Sequence, residues 1–561
     1  MNKQLYVTNI LSHNKIIRQA LILLSLPIFW FLTLNHSLAQ DTNNKTESLN
    51  KGEIQPSNAQ NKPKKIKLLN AEELIYDEES NKDVRKLLGD VRFKHDDVLM
   101  YCDSAYLFTL ENKLYAYSNV RIIRGDSLEL TGDSLKYYGD TKFAELRGDI
   151  TATTPTQQLI TSYLDYDIGN NIVYYAGGGV ITDTENNQKL RSDRGTYVVN
   201  ESTYYFKTNV DIQDSNFRIV SDTLQYNTST ELATFFGPTH IYDDSTDIYC
   251  ESGFYDRLNK KSVFTKNAYI QDKEQILRGD SILYDQNIGF GEFFNNVSIE
   301  DTINKVTVAG DYGYYNEVDS SSMVTGHTLM TQIFTDDTLY LHADTLLAFN
   351  DSLSKKAIAA YHHVQFYKPD LQGKCDSLTM YQGDSLLKMF HDPVLWNGAS
   401  QITGEHIFIK TYDGIIEKMY IDEDALIISK NDTAPEADTI YDFNQIQGRE
   451  LTAFFRDNEI FKINVEGNGQ TIYYAEEEDG SVFGLNRLDC SNMTLYIVES
   501  KIKDIRFYVK PSGVLHPLKE LTNDIRYFRY FKWREEEQPK VMEDIFNWKP
   551  TTEGMGIPIV N

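Results

Sequence analysis

The chain has 561 residues, a formal net charge of −27, 12% aromatic residues and 37 tyrosines. So acidic a chain repels nucleic acid and anionic membrane surfaces, which excludes DNA and RNA as partners. The tyrosines favour strands over helices, and the length implies several domains unless the chain is built of repeats.

Residues 1–39 read as a secretory signal peptide. Lys15 and Arg18 precede an apolar run from Ala20 to Leu34, and Ser37-Leu38-Ala39 has the small-x-small pattern of a cleavage site before Gln40. An uncleaved anchor is the competing reading. The run is 15 residues long and contains Pro27, short for a span that wants about 20. Losing Lys3, Lys15 and Arg18 takes the charge from −27 to about −30. Residues 40–65 are rich in Asn, Lys, Ser and Gln and read as a disordered linker.

From residue 66 a repeat takes over. Aligned on an acidic or small polar anchor, copies start at Glu72, Asp103, Asp133, Ser162, Asp193, Asp222, Glu251, Asp280, Asp311, Asp344, Asp376 and Glu405, in steps of 29 to 33 residues. Weaker copies start near Arg449 and Ser491 after steps of 44 and 42. Residues 66–430 thus form the regular part and 431–514 a divergent part with insertions. Four positions after the anchor stands a tyrosine in eight copies: Tyr76, Tyr137, Tyr166, Tyr197, Tyr226, Tyr255, Tyr284 and Tyr315. An apolar residue or glycine two positions after the anchor completes the period of two of a strand with one buried face. About seventeen residues after the anchor comes a second signature, as in Ser118-Asn119-Val120-Arg121-Ile122 and Thr208-Asn209-Val210-Asp211-Ile212. Asn, Asp and Gly tolerate a left-handed backbone there and allow a bend. Each unit is strand, tight turn, strand, bend, strand. One such unit cannot bury its apolar face alone, so the copies must stack around a common seam. The fold class is all-β: an elongated, solenoid-like stack of about 30-residue repeats. Periodicity leaves the seam open to two readings, a dry core or a groove for an apolar ligand.

Residues 515–561 differ. Glu520–Lys540 carries Tyr527, Phe528, Tyr530, Phe531 and Trp533 and reads as a helical or irregular cap over the stack, with docking to a partner as the alternative.

No constellation of catalytic residues is visible, so an enzyme is not expected, and no cofactor or metal is implied. His362-His363 has no Cys or acid at metal-motif spacing. The anchor acids read as charges that protect a sheet edge rather than as a calcium site, since no unit clusters three of them. Cys102, Cys250, Cys375 and Cys490 each precede an anchor, several units apart, and read as free packed thiols. Arg-Gly-Asp at Arg124–Asp126, Arg147–Asp149 and Arg278–Asp280 reads as bend chemistry, not an adhesion motif.

The stretches Ser221–Ile241, Gly132–Ala152 and Gly279–Ile299 resemble the OstA-like (organic solvent tolerance-like) repeat, found in the periplasmic lipopolysaccharide-transport bridge protein and the N-terminal domain of the outer-membrane translocon. The resemblance covers nearly all of residues 66–510. It implies an open, V-shaped β-jellyroll in the periplasm whose apolar groove holds lipopolysaccharide acyl chains. It also implies end-to-end pairing with other jellyroll proteins of the transport bridge, the translocon included. The chain is longer than a single bridge protein and lacks the long run of amphipathic strands of a translocon barrel. The groove lining would be Leu135, Tyr137, Leu164, Tyr166, Tyr197, Leu224, Tyr226, Ile282 and Tyr284 after the anchors. In the bend strands it would be Val120, Ile122, Ile150, Val180, Val210, Ile212, Val297 and Ile299. A one-residue slip would turn such a set outward. The alternative function is a structural or scaffolding β-solenoid of the cell envelope that binds proteins or glycans on its outer faces.

Overall fold

In a computed structural model, the described residues are 64–76 and 83–551. Short segments inside that range fall outside the description: 184–187, 214–216, 243–245, 272, 274, 304, 317, 335–336, 351–355, 382–385, 413–414, 432–441, 457–458, 478–480 and 499–500. The signal peptide and, except for Lys64 and Lys65, the linker lie outside the described residues. Among the described residues no helix is long and apolar enough to cross a membrane.

The chain divides at Ala268/Tyr269 into two compact units. Each is all-β and built from consecutive antiparallel strands, as the repeat requires. One repeat supplies two strands. In the first unit, Val98–Phe108 carries the anchor Asp103 in its middle, and the next strand, Lys113–Arg124, carries the bend pair Ser118-Asn119 in its middle. Their ladder runs from Phe108↔Lys113 to Ser104↔Tyr117, slips, and resumes from Tyr101↔Arg121 to Val98↔Arg124. The same slip recurs between Leu128–Tyr138 and Phe143–Thr153, and between Thr203–Gln213 and Arg218–Asn227.

A slip at the same height in every rung creases the sheet. The crease separates two walls. The first wall consists of the strand halves after each anchor and before each bend pair. The second consists of the halves before each anchor and after each bend pair. Alternation gives each half one inward face: in Leu128–Tyr138 the buried positions are Leu130 and Gly132 on one wall, Leu135 and Tyr137 on the other. Residues from both walls join one apolar cluster, for example Val91, Phe93, Ala105, Leu107, Leu114, Val120, Leu135, Leu146 and Leu164.

The unit from Tyr269 repeats this plan and adds a strap. Residues 518–551 carry only a four-residue helix, Asn523–Arg526, and short 3-10 turns. They lie along the outer face of the second wall, under which Leu426, Ile428, Phe443, Ile472, Tyr474 and Leu485 cluster with Tyr527, Phe528 and Phe531. The aromatic segment therefore covers a face of the sheet, and Tyr530 remains 69% exposed.

Candidate functional site: the creased seam

The crease explains the two signatures. Ser118 and Asn119 have φ of 64° and 51°, and Thr208 and Asn209 have 64° and 54°, a left-handed pair that turns the strand. The second residue of the pair donates to the anchor carboxylate sixteen residues earlier. Asn119 Nδ2–H reaches Asp103 at 2.7 Å, Asn209 reaches Asp193 at 2.8 Å, and Asn267 reaches Glu251 at 2.9 Å. His327 Nδ1 takes the same place beside Asp311 at 2.8 Å. In Arg147-Gly148-Asp149 the Gly148 φ is 99°, and the Asp149 backbone N–H bonds Asp133 at 3.1 Å. The anchor acids hold the crease, a role the edge-protection reading missed. The signal for it was the constant Asp/Glu-to-Asn spacing. Among the described residues no group of three or more His, Cys, Asp or Glu side chains is placed to hold a metal ion.

The four cysteines are free and buried at the inward slot before the anchor. Burial pushes the Cys102 and Cys250 thiols up to about 12, which makes them poor nucleophiles.

Most of the side chains expected inside the seam face it. Val120, Ile122, Leu135, Tyr137, Ile150, Leu164 and Tyr166 belong to one buried cluster. Val210, Ile212, Leu224 and Tyr226 are buried farther along the same unit, and Ile282, Tyr284, Val297 and Ile299 in the other unit; none of these exposes more than 8%. Tyr197 is half-buried with its ring stacked on Tyr204, centroids 4.0 Å apart. Val180 is a correction. The left-handed pair here is Gly177-Gly178, so the inward slots fall to Gly179 and Ile181, and Val180 sits on the outer, half-buried face. Gly179 is small for a reason: a Cβ there would stand 2.3 Å from the Tyr175 ring, and one at Gly195 would meet the other edge of that ring. Tyr175 fills the space both glycines leave and bonds Ser192 Oγ at 2.6 Å.

Sequence reasoning missed the inward residues that precede the bend pairs. Leu114, Ala116, Ala144, Leu146, Phe206 and Phe235 are each at most 2% exposed. Their signal was the alternation in Lys113-Leu114-Tyr115-Ala116-Tyr117. Chemistry changes along each wall. Flanking the crease, inward positions of the first unit are apolar or small. At the wall ends remote from it polar side chains join the apolar ones: His95, Asn112, Gln157, Asp183 and Gln188 are buried there at 2–6% exposure, beside Val98 and Phe217 at 3–4%. The seam is thus apolar inside with a rim of mixed polar and apolar side chains.

On the strap, two glutamines of the second wall's outer face clamp its main chain. Gln401 Nε2–H donates to Lys532 O at 2.8 Å and its Oε1 accepts from Arg534 N–H at 2.7 Å. Gln445 does the same with Arg526 O at 2.7 Å and Phe528 N–H at 3.1 Å. Arg534 forks onto Asp392 at 2.7 and 2.9 Å and onto Glu537. Lys374, 1% exposed, bonds Glu537 at 2.6 Å. Burial lowers the Lys374 ammonium's pKa. Burial alone would raise the Glu537 carboxyl, but Arg534 and Lys374 outweigh it and hold it below the usual range.

The sequence model of the OstA-like protein family matches residues 63–222 and 224–326. No curated protein matches the chain. Among solved structures it is similar to LptH of Pseudomonas aeruginosa, described as the LptA homologous periplasmic component of the lipopolysaccharide transport device. Identity is 13%, the TM-score is 0.18, and the match covers 19% of this chain and 81% of that one.

Proposed function

We propose that the chain, whose residues 63–222 and 224–326 match the OstA-like family, is a lipid carrier of lipopolysaccharide transport in the periplasm. Acyl chains lie along the seam, the sugar phosphates stay at its rim, and the sheet ends pair with other jellyroll proteins of the bridge. The observation that carries this reading is a buried apolar seam with polar side chains, His95, Asn112, Gln157, Asp183 and Gln188, gathered at the wall ends. An amphiphile with several acyl chains matches it, each buried methylene contributing about 0.8 kcal/mol. No step of such transport requires a catalytic side chain or a cofactor.

The inward side chains are sealed, so loading requires the walls to part and acyl chains to replace wall-to-wall contacts. A photo-crosslinking amino acid at Val210 or Tyr226 captures lipopolysaccharide if this reading is right, while one at the outward neighbour Gln225 does not. Capture from Gln225 alone overturns it and leaves the scaffold reading, which the sealed interior favours. Depletion of the protein weakens the outer-membrane barrier on the carrier reading and leaves it intact on the scaffold reading.

A further inference from the structure

The walls of the first unit meet again at their far ends. His95 ends the second wall and Tyr137 ends the first; His95 Nδ1 and Tyr137 Oη are 2.6 Å apart. One repeat on, Arg124 ends the second wall and Tyr166 the first, and Arg124 Nη1–H donates to Tyr166 Oη at 2.8 Å. Both pairs are 42 residues apart, so the same contact is made twice by equivalent positions of the repeat. A third bridge joins turns of opposite walls: Lys142 Nζ lies 2.7 Å from Asp96, which also takes Lys64 at 2.8 Å. Arg124 is held in turn by Asp97 at 2.9 Å.

The chain just before the first strand lies across this mouth. Lys64 O accepts from Asn112 Nδ2–H on a first-wall turn and meets His95 Nε2 of the second wall, each at 3.0 Å. The Ile66 N–H donates to Asn112 Oδ1 at 3.0 Å, and the Ile66 side chain joins the apolar cluster of the seam. Residues 64–66 therefore touch both walls and close the gap with an apolar side chain facing in.

We propose that this is a lateral gate: the seam is loaded through the mouth between the wall ends, with residues 64–66 as its lid and the contacts His95–Tyr137, Arg124–Tyr166 and Lys142–Asp96 as its latches. The gate rests on the carrier reading above. It differs from entry through an open end of the stack, which would need no contact between the wall ends to break. The latches are hydrogen bonds and one ion pair, the His95–Tyr137 contact buried and the other two partly solvated, contacts that water or a ligand's phosphates and hydroxyls replace on opening. The crease, packed with apolar residues and tied by the anchor acids, stays shut and serves as the hinge line.

The test uses the full chain with the photo-crosslinking amino acid at Val210 and purified rough-type lipopolysaccharide as the probe. Asp96→Cys with Lys142→Cys removes one latch and places two reactive thiols across the mouth, while the four native thiols are buried. Unlinked, the double variant captures lipopolysaccharide at least as fast as the unsubstituted chain. Joined by a bismaleimide with a reducible disulfide spacer, it loses capture, and reduction restores it. Tyr137→Phe with Tyr166→Phe keeps both rings but removes both hydroxyl latches, and capture accelerates on the order of tenfold. Undiminished capture by the linked form overturns the gate and leaves the carrier reading standing. Absence of capture in every form, with thermal melting unchanged, overturns the carrier reading and the gate with it.

Discussion

Gln401→Ala tests whether the strap is held by its main chain. Gln401 is fully buried, and its amide satisfies Lys532 O and Arg534 N–H together. Truncation leaves a buried donor and a buried acceptor without partners. At about 1–3 kcal/mol for each stranded group, partly relieved as the strap shifts toward water, the local cost is about 2–4 kcal/mol. That corresponds to about 30- to 700-fold faster opening-limited exchange, at about 1.4 kcal/mol per decade. Native-state hydrogen exchange at the Arg534 amide reads it directly. Phe528, clamped by Gln445 and packed with Tyr527 and Phe531, keeps its protection. Gln470→Ala, which removes only the bond to Asp489 at an exposed site, changes neither amide. Unchanged exchange at Arg534 in Gln401→Ala would refute the reasoning, because the aromatic contacts alone would then hold the strap.

Three other outcomes follow from the same geometry. Asn209→Ala removes the bond to Asp193 and places alanine at φ of 54°; unfolding in urea should show a loss of about 1–2 kcal/mol. The Cys102 and Cys250 thiols, pushed up to about 12 by burial, should resist maleimide at pH 7 until the chain is unfolded, and fast labelling of the native state would contradict their packing. The hydrogen bond from Trp533 and the Lys430 ammonium hold the Glu535 carboxyl down at about 2, from 4.5. A depressed carboxyl stabilises the fold above its unfolded pKa, so this contribution to strap attachment is complete above pH 4.5 and fades as pH falls toward 2. Strap exchange followed against pH should show that fade in the native chain and a smaller one in Lys430→Met.

Much of this was legible because the repeat writes one rule many times. Leu135 and Tyr137 sit two and four positions after an acid, and the period of two fixes their wall. Val180 shows where the rule fails: three consecutive glycines permit more than one bend pair, and only the backbone says that Gly177 and Gly178 take the left-handed region. The strap left a different trace. Val394-Leu395-Trp396 and Ala425-Leu426-Ile427-Ile428 are unbroken apolar runs where the repeat elsewhere alternates. Such runs mark strands buried on both faces, and in the second unit the second wall has the seam on one side and the strap on the other. What covers an outer face depends on contacts more than a hundred residues apart, as between Gln401 and Lys532, and no local pattern encodes those.

The tyrosine four positions after the anchor shows why the repeat prefers that residue. If the position only lined a seam, phenylalanine would bury the same ring without a hydroxyl to satisfy. Tyr137 and Tyr166 instead stand at the wall ends, where the ring lies against the apolar cluster and the hydroxyl reaches the opposite wall. A side chain with an apolar body and a polar tip is suited to such a boundary. The sequence places one in eight successive or near-successive repeats. At Tyr137 and Tyr166 the repeat therefore sets the boundary between the apolar interior and the wall ends.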